Sequence, residues 1–129
     1  MVIKYFIPEE IVRMSVVNAL TMIASDGEIL SGGVGHPRTC GTYARVLGHY
    51  VREERALTLM DAPRKMTIMP AQRVEQRAPL MHKKGRLSVG ADADITIFDP
   101  VTITDRATYA QPTLPSEGIR YVIVNGPSW

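Results

Sequence analysis

Ile23-Ala24-Ser25-Asp26-Gly27, with His36-Pro37-Arg38 shortly after it, is the stretch on which the reading of this chain turns. Ahead of it, Ala19-Leu20-Thr21-Met22-Ile23-Ala24 is a short, mostly apolar run suited to a buried strand of a parallel sheet. Ser25-Asp26-Gly27 ends that run, and the glycine allows a sharp exit. A carboxylate at the C-terminal end of a buried strand stands where α/β barrels place their reactive groups. The same three residues are also ordinary turn chemistry, so a plain strand-end turn competes for the motif taken alone.

Working outward, Pro8-Glu9-Glu10 reads as the first turn of a helix, with acids near the positive end of its dipole. A helix feeding directly into a buried strand is half of an α/β repeat. Residues 28–40 are glycine-rich and poor in apolar anchors, the character of a functional loop. Thr42 is a candidate cap for the next helix, in which Tyr43, Val46, Leu47, Tyr50 and Val51 form an apolar stripe. A further helix starts at Thr58 or Asp61. Asp61 is favoured because it leaves Pro63 in the first turn, where a deeper proline would cost about 3 kcal/mol. Pro70 opens one more short helix, to about Gln76. After Pro79 the pattern turns to extended pieces at 93–98, 102–105 and 119–124, the last closed by Asn125-Gly126. The expected division is an α/β segment over residues 1–79 and a β-rich tail over 80–129.

With 129 residues the chain suits one domain or a piece of a larger one. Hydrophobic residues make up 45% and charged residues 22%, a globular composition. Lys and Arg number 15 against 13 Asp and Glu, a balance that argues against nucleic acid as a partner. The one basic cluster, His82-Lys83-Lys84 with Arg86, has no interleaved aromatics and reads as a solvated loop. The single cysteine, Cys40, excludes an internal disulfide and a multi-cysteine zinc site, and reads as an ordinary loop thiol. The longest apolar stretch, Met14 to Ala24, is broken by Ser15, Asn18 and Thr21 and falls short of the roughly 20 residues that span a bilayer. The expectation is a soluble, cytoplasmic chain with neither membrane nor nucleic acid as partner.

Taken together, these segments resemble the C-terminal part of the amidohydrolase superfamily, and within it the N-acyl-D-amino-acid deacylase (D-aminoacylase) family. Ile23-Ala24-Ser25-Asp26-Gly27, His36-Pro37-Arg38 and Gly41-Thr42-Tyr43-Ala44-Arg45-Val46-Leu47-Gly48 carry the resemblance to the deacylase branch. Arg64-Lys65-Met66-Thr67 and Pro70-Ala71-Gln72-Arg73 extend it. Gly85-Arg86-Leu87 with Gly90, Ala93-Asp94-Ile95-Thr96-Ile97-Phe98-Asp99-Pro100 and Val122-Ile123-Val124-Asn125-Gly126 are shared more widely in the superfamily.

The resemblance implies an α/β fold: a metal-dependent (β/α)8 barrel, of which this chain holds the last strand and following helices, with part of a small β-sandwich. It implies that residues 19–24 are the eighth barrel strand. It also implies that Asp26 binds a catalytic zinc ion and serves as general base and acid in hydrolysing N-acyl-D-amino acids. Arg38 resembles the residue that holds the substrate's α-carboxylate, and His36 stands beside it as a second binding candidate or a packing histidine.

A complete barrel takes about 250 residues, twice what is present. His36, His49 and His82 are not spaced as a ligand pair, His49 reads as a surface residue, and Cys40 does not match the family's metal-binding cysteine. A catalytic zinc needs about three protein ligands. The expectation is therefore a C-terminal portion of an enzyme, inactive alone, that self-associates or takes a complementary chain. The turn just before Pro127-Ser128-Trp129 suggests that a final strand is missing. The alternatives are a non-catalytic assembly or binding module, or another amide or cyclic-amide hydrolase of the superfamily.

Overall fold

Pro8 leads into α1 (Glu9–Val17), with Glu9 and Glu10 in its first turn, as the sequence pattern requires. The structure, a computed structural model, describes residues 6–30 and 34–126. No residue of α1 is fully buried. Val12 and Val16 pack against the core, and polar bonds complete the attachment. Tyr50 Oη donates to Glu9 Oε1 at 2.5 Å, and Arg13 Nε lies 3.0 Å from Glu54 Oε2.

The apolar run 19–24 is not a strand. Residues 19 and 20 turn, and residues 21–28 carry no ladder. A strand needs a neighbouring strand to take its N–H and C=O groups, and here the Ile23 N–H goes to the Lys65 carbonyl oxygen at 3.1 Å. Lys65 holds the segment with its side chain as well. Its residue is 3% exposed, and Nζ donates to Asn18 O, to Thr21 O at 2.8 Å and to Thr21 Oγ1 at 3.2 Å. A lysine stays inside when its ammonium finds oxygens. Burial still pulls its pKa below the ordinary lysine value, with Arg64 adding to the shift.

The glycine-rich stretch contains a small antiparallel pair, β1 (Ile29–Leu30) and β2 (Val34–Gly35), in the register Ile29↔Gly35. α2 (Arg38–Arg45) follows, and the chain continues as a π-helix over Val46–Glu53. The helix thus begins before Thr42, which caps nothing: its Oγ1 donates to the Arg38 carbonyl at 2.8 Å. Of the expected stripe, Val46, Leu47 and Tyr50 are buried, while Tyr43 is 47% exposed. Gly48 makes room for the tail, since a Cβ there would stand 2.7 Å from the Ile103 carbonyl oxygen.

α3 (Asp61–Met66) starts at the favoured residue, with Pro63 tolerated in its first turn. Asp61 is the first helical residue and not the cap, a position that Met60 takes without a side-chain cap bond. The bond to an orphan N–H comes from Thr58, whose Oγ1 accepts the Asp61 N–H at 3.0 Å and donates to Asp61 Oδ2 at 2.7 Å. α4 (Ile68–Val74) and a 3-10 turn at Pro79–Lys83 complete the helices. The tail pairs β3 (Ile95–Phe98) with β4 (Ile119–Ile123), antiparallel, with an irregularity between Ile97 and Phe98. Thr104 and Glu117 form an isolated bridge beside this hairpin. Asn125 and Gly126 turn with positive φ, at 52° and 100°. Residues 127–129, which follow that turn, lie outside the described residues.

The core joins front and tail. Ala44, Val46, Leu47, Tyr50 and Ala62 pack around Ile103, which is 1% exposed. Gly118, at φ +82°, lets β4 approach so closely that a Cβ would lie 2.5 Å from Ile103 Cα. The result is an α/β fold. Among the described residues no helix is long and apolar enough to cross a membrane.

Candidate functional site

Gly27 sets the geometry of the site. A Cβ at this position would stand 2.7 Å from Thr39 Cα, so only glycine lets the 25–28 turn lie against the start of α2. Thr39 fastens the turn there, its Oγ1 accepting the Glu28 N–H at 3.0 Å and donating to the Glu28 carbonyl at 3.1 Å. Asp26 adopts φ 46°, a left-handed conformation that Asp tolerates better than most residues. Its carboxylate is thereby turned outward, with 85% of the side chain exposed.

Arg38, the first residue of α2, meets Asp26 at two points. Its Nε donates to the Asp26 carbonyl oxygen at 2.8 Å, and its Nη2 lies 2.8 Å from Asp26 Oδ2. The two residues that the motif singled out are therefore brought together. An exposed ion pair of this kind is worth under about 1 kcal/mol, so it fixes orientation more than stability. His36 stands behind Arg38, and its Nδ1 accepts the Arg38 N–H at 3.1 Å. That bond requires a neutral imidazole carrying its proton on Nε2. Burial, helped by the nearby Arg38 charge, lowers the His36 pKa, in the direction that favours the neutral ring. The same ring meets Tyr109 edge-on, with centroids 5.2 Å apart and planes at 87°.

The site offers one carboxylate, one guanidinium and one neutral imidazole at the surface. Among the described residues no three His, Cys, Asp or Glu side chains gather to hold a metal ion. Asp26 alone does not fit a zinc site, and the remaining ligands must come from outside this group of residues. A groove of about 500 Å³ lies elsewhere, between the helices and the β3–β4 hairpin, lined by Tyr43, Leu47, Met66, Ile95 and Phe98 among others. Asp26, His36 and Arg38 take no part in it.

Two side-chain placements differ from the sequence reading. His49 is not a plain surface residue but a half-buried hub, 3.1 Å from Glu53 and 3.0 Å from Glu54 through its two ring nitrogens. Cys40 lies within α2 and is half-buried. Sequence reasoning missed Thr39, Lys65 and Tyr109. Lys65 falls within a motif that was noticed without a role, whereas nothing local marks Tyr109.

Comparison with known proteins places this geometry in a lineage. The sequence model of the amidohydrolase family matches residues 19–128. N-acyl-D-glutamate deacylase of Alcaligenes xylosoxydans xylosoxydans is 44% identical over 124 residues, covering 96% of this chain and 24% of that protein. D-aminoacylase of the same organism is 43% identical over 110 residues, covering 84% of this chain and 22% of the relative. A solved structure of N-acyl-D-glutamate deacylase from Bordetella bronchiseptica, complexed with zinc and a phosphonate mimic of the tetrahedral intermediate, superposes with a TM-score of 0.83. It shares 44% identity and covers 94% of this chain and 24% of its own length. The chain spans about a quarter of the relatives it matches. With the family model running through both the Asp26 turn and the tail hairpin, the chain belongs to the amidohydrolase family.

Proposed function

We propose that this chain supplies the Asp26–Arg38 portion of the active site of a metal-dependent hydrolase that cleaves the amide bond of N-acyl-D-amino acids. The observation that carries the reading is the two-point contact between Arg38 and Asp26, in a chain 44% identical to an N-acyl-D-glutamate deacylase. In the complete protein, residues 19–24 take the place of the last strand of a (β/α)8 barrel. Residues 1–79 then belong to that barrel, and 80–129 to a small composite β-sandwich.

In this reading the Asp26 carboxylate takes a proton from the attacking water as the water oxygen bonds to the amide carbon. It delivers that proton to the nitrogen as the carbon–nitrogen bond breaks, leaving a carboxylic acid and a free amine. Arg38 receives the substrate's α-carboxylate, a planar anion that a guanidinium binds through two parallel N–H groups. His36 stays neutral and holds the Arg38 backbone. Zinc is the proposed metal, to which Asp26 contributes one oxygen of a ligand set completed by other residues. The discriminating experiment is steady-state hydrolysis of matched free-acid and ester substrates by the complete enzyme, with Arg38 intact and replaced.

Association with further polypeptide follows from the surface. Leu20 is 90% exposed, Phe6 73% and Met14 63%, all on or beside α1. Exposed apolar side chains are the kind of surface that a partner chain covers. The partner is the remainder of the barrel, or a second copy of this chain where that remainder is absent.

A further inference from the structure

The loop between Thr104 and Glu117 lies against the start of α2. Its ends are tied by the Thr104–Glu117 bridge, with bonds of 3.1 and 2.9 Å. Two anchors fasten it to α2: Ser116 Oγ donates to the Cys40 carbonyl at 2.7 Å, and Asp105 Oδ2 lies 3.8 Å from Arg45 Nη1. Gly41 allows the approach, since a Cβ there would sit 3.2 Å from Asp105 Cβ. From this anchored loop the Tyr109 ring meets the His36 imidazole edge-on.

An imidazole presents a nitrogen on one edge and a C–H in the equivalent place after a half-turn about its χ2 bond. Only one of these orientations lets Nδ1 accept the Arg38 N–H. We propose that Tyr109 is a positioning residue for Arg38: its ring packs edge-on against His36 and holds the imidazole in the plane from which Nδ1 accepts the Arg38 N–H, and so sets where the guanidinium is presented beside Asp26. The proposal rests on the reading that Arg38 receives the substrate carboxylate, and it assigns to the tail of the chain a part in substrate binding. In this proposal Tyr109 acts through His36, which its ring meets edge-on. Ser116 and Asp105 contact α2 without the Tyr109 ring, so the loop keeps these two contacts when the ring is removed.

The test uses the 129-residue chain, labelled with nitrogen-15 at arginine, and follows hydrogen exchange at the Arg38 Nε–H, which is bonded to the Asp26 carbonyl. The expected result is slow exchange in the unsubstituted chain and in Tyr109→Phe, which keeps the ring. Tyr109→Leu should exchange at least tenfold faster, with protection of the Ile103 amide unchanged. His36→Phe, which keeps an aromatic edge but loses the acceptor, should show the same acceleration. Unchanged Arg38 protection in either Tyr109→Leu or His36→Phe overturns the proposal, as does acceleration in Tyr109→Phe equal to that in Tyr109→Leu. A second arm measures KM and kcat of the complete enzyme carrying Tyr109→Leu. A higher KM for free-acid substrates, with kcat and the ester KM unmoved, is expected. Accelerated Arg38 exchange without that KM change upholds the positioning role and instead contradicts Arg38 as the carboxylate receptor.

Discussion

Arg38 grips Asp26 twice, through Nε to the backbone carbonyl at 2.8 Å and through Nη2 to carboxylate Oδ2 at 2.8 Å. The bond to the carbonyl does not depend on the carboxylate, so the guanidinium stays in place when that carboxylate takes another partner. A lysine ammonium has no planar fork with which to make this arrangement.

Arg38→Ala in the complete enzyme should therefore weaken substrates with a free α-carboxylate. Loss of a charged hydrogen bond worth about 1.5–3 kcal/mol corresponds to a rise in KM of roughly 10- to 150-fold. Esterified analogues should change little, and Arg38→Lys should recover only part of the loss. Equal losses on acid and ester would remove the carboxylate role.

Lys65→Met should destabilise the fold without touching the site. It strands the carbonyl oxygens of Asn18 and Thr21 that the ammonium satisfies. The expected cost is about 1–3 kcal/mol per buried group left unpaired, seen as a lower urea midpoint. A variant as stable as the parent would show that the Lys65 bonds are replaced by water.

Tyr50 gives a pH signature. Burial, with the Glu9 hydrogen bond and charge, holds its phenol up to about 12. An acid whose folded pKa is raised keeps its proton longer in the folded state. The stability it contributes is full below the ordinary phenol value near 10 and is lost as pH rises through about 12. The difference in thermal midpoint between the parent and Tyr50→Phe should shrink across that window. A difference that stays constant from pH 8 to 12 would contradict the Tyr50–Glu9 contact.

How much of this was legible in the sequence follows the range of each interaction. α1, α3 and the separate strands β3 and β4 were readable because Pro8, Pro63 and, at the end of β4, Asn125-Gly126 act on their immediate neighbours, whereas the pairing of β3 with β4 joins residues far apart in the chain. The run 19–24 carries no ladder in this chain, because composition reports burial whereas a ladder depends on a neighbouring strand; here the Lys65 carbonyl takes that place. The π-helix at Val46–Glu53 was not foreseen, since its apolar spacing also suits an α-helix. Asp26 and Arg38 were singled out by their motifs, and the structure sets them in contact. Their contact depends on Gly27, and the support from Tyr109 depends on how the tail folds back.

The exposed apolar side chains around α1 predict association. Size-exclusion chromatography with light scattering should show dimers or larger species of the isolated chain as concentration rises. Phe6→Ser combined with Met14→Ser should reduce them. A concentration-independent monomer with a cooperative melt would contradict the proposed interface.

The central claim is that these residues complete a deacylase site through Asp26. The most direct measurement replaces the matching quarter of the Alcaligenes N-acyl-D-glutamate deacylase with this chain and follows zinc-dependent hydrolysis of N-acyl-D-glutamate. The predicted result is turnover by the chimera that falls about 10²–10⁴-fold in Asp26→Asn, the usual contribution of a general acid–base group. A folded chimera that turns over equally well with Asp26→Asn would contradict the claim.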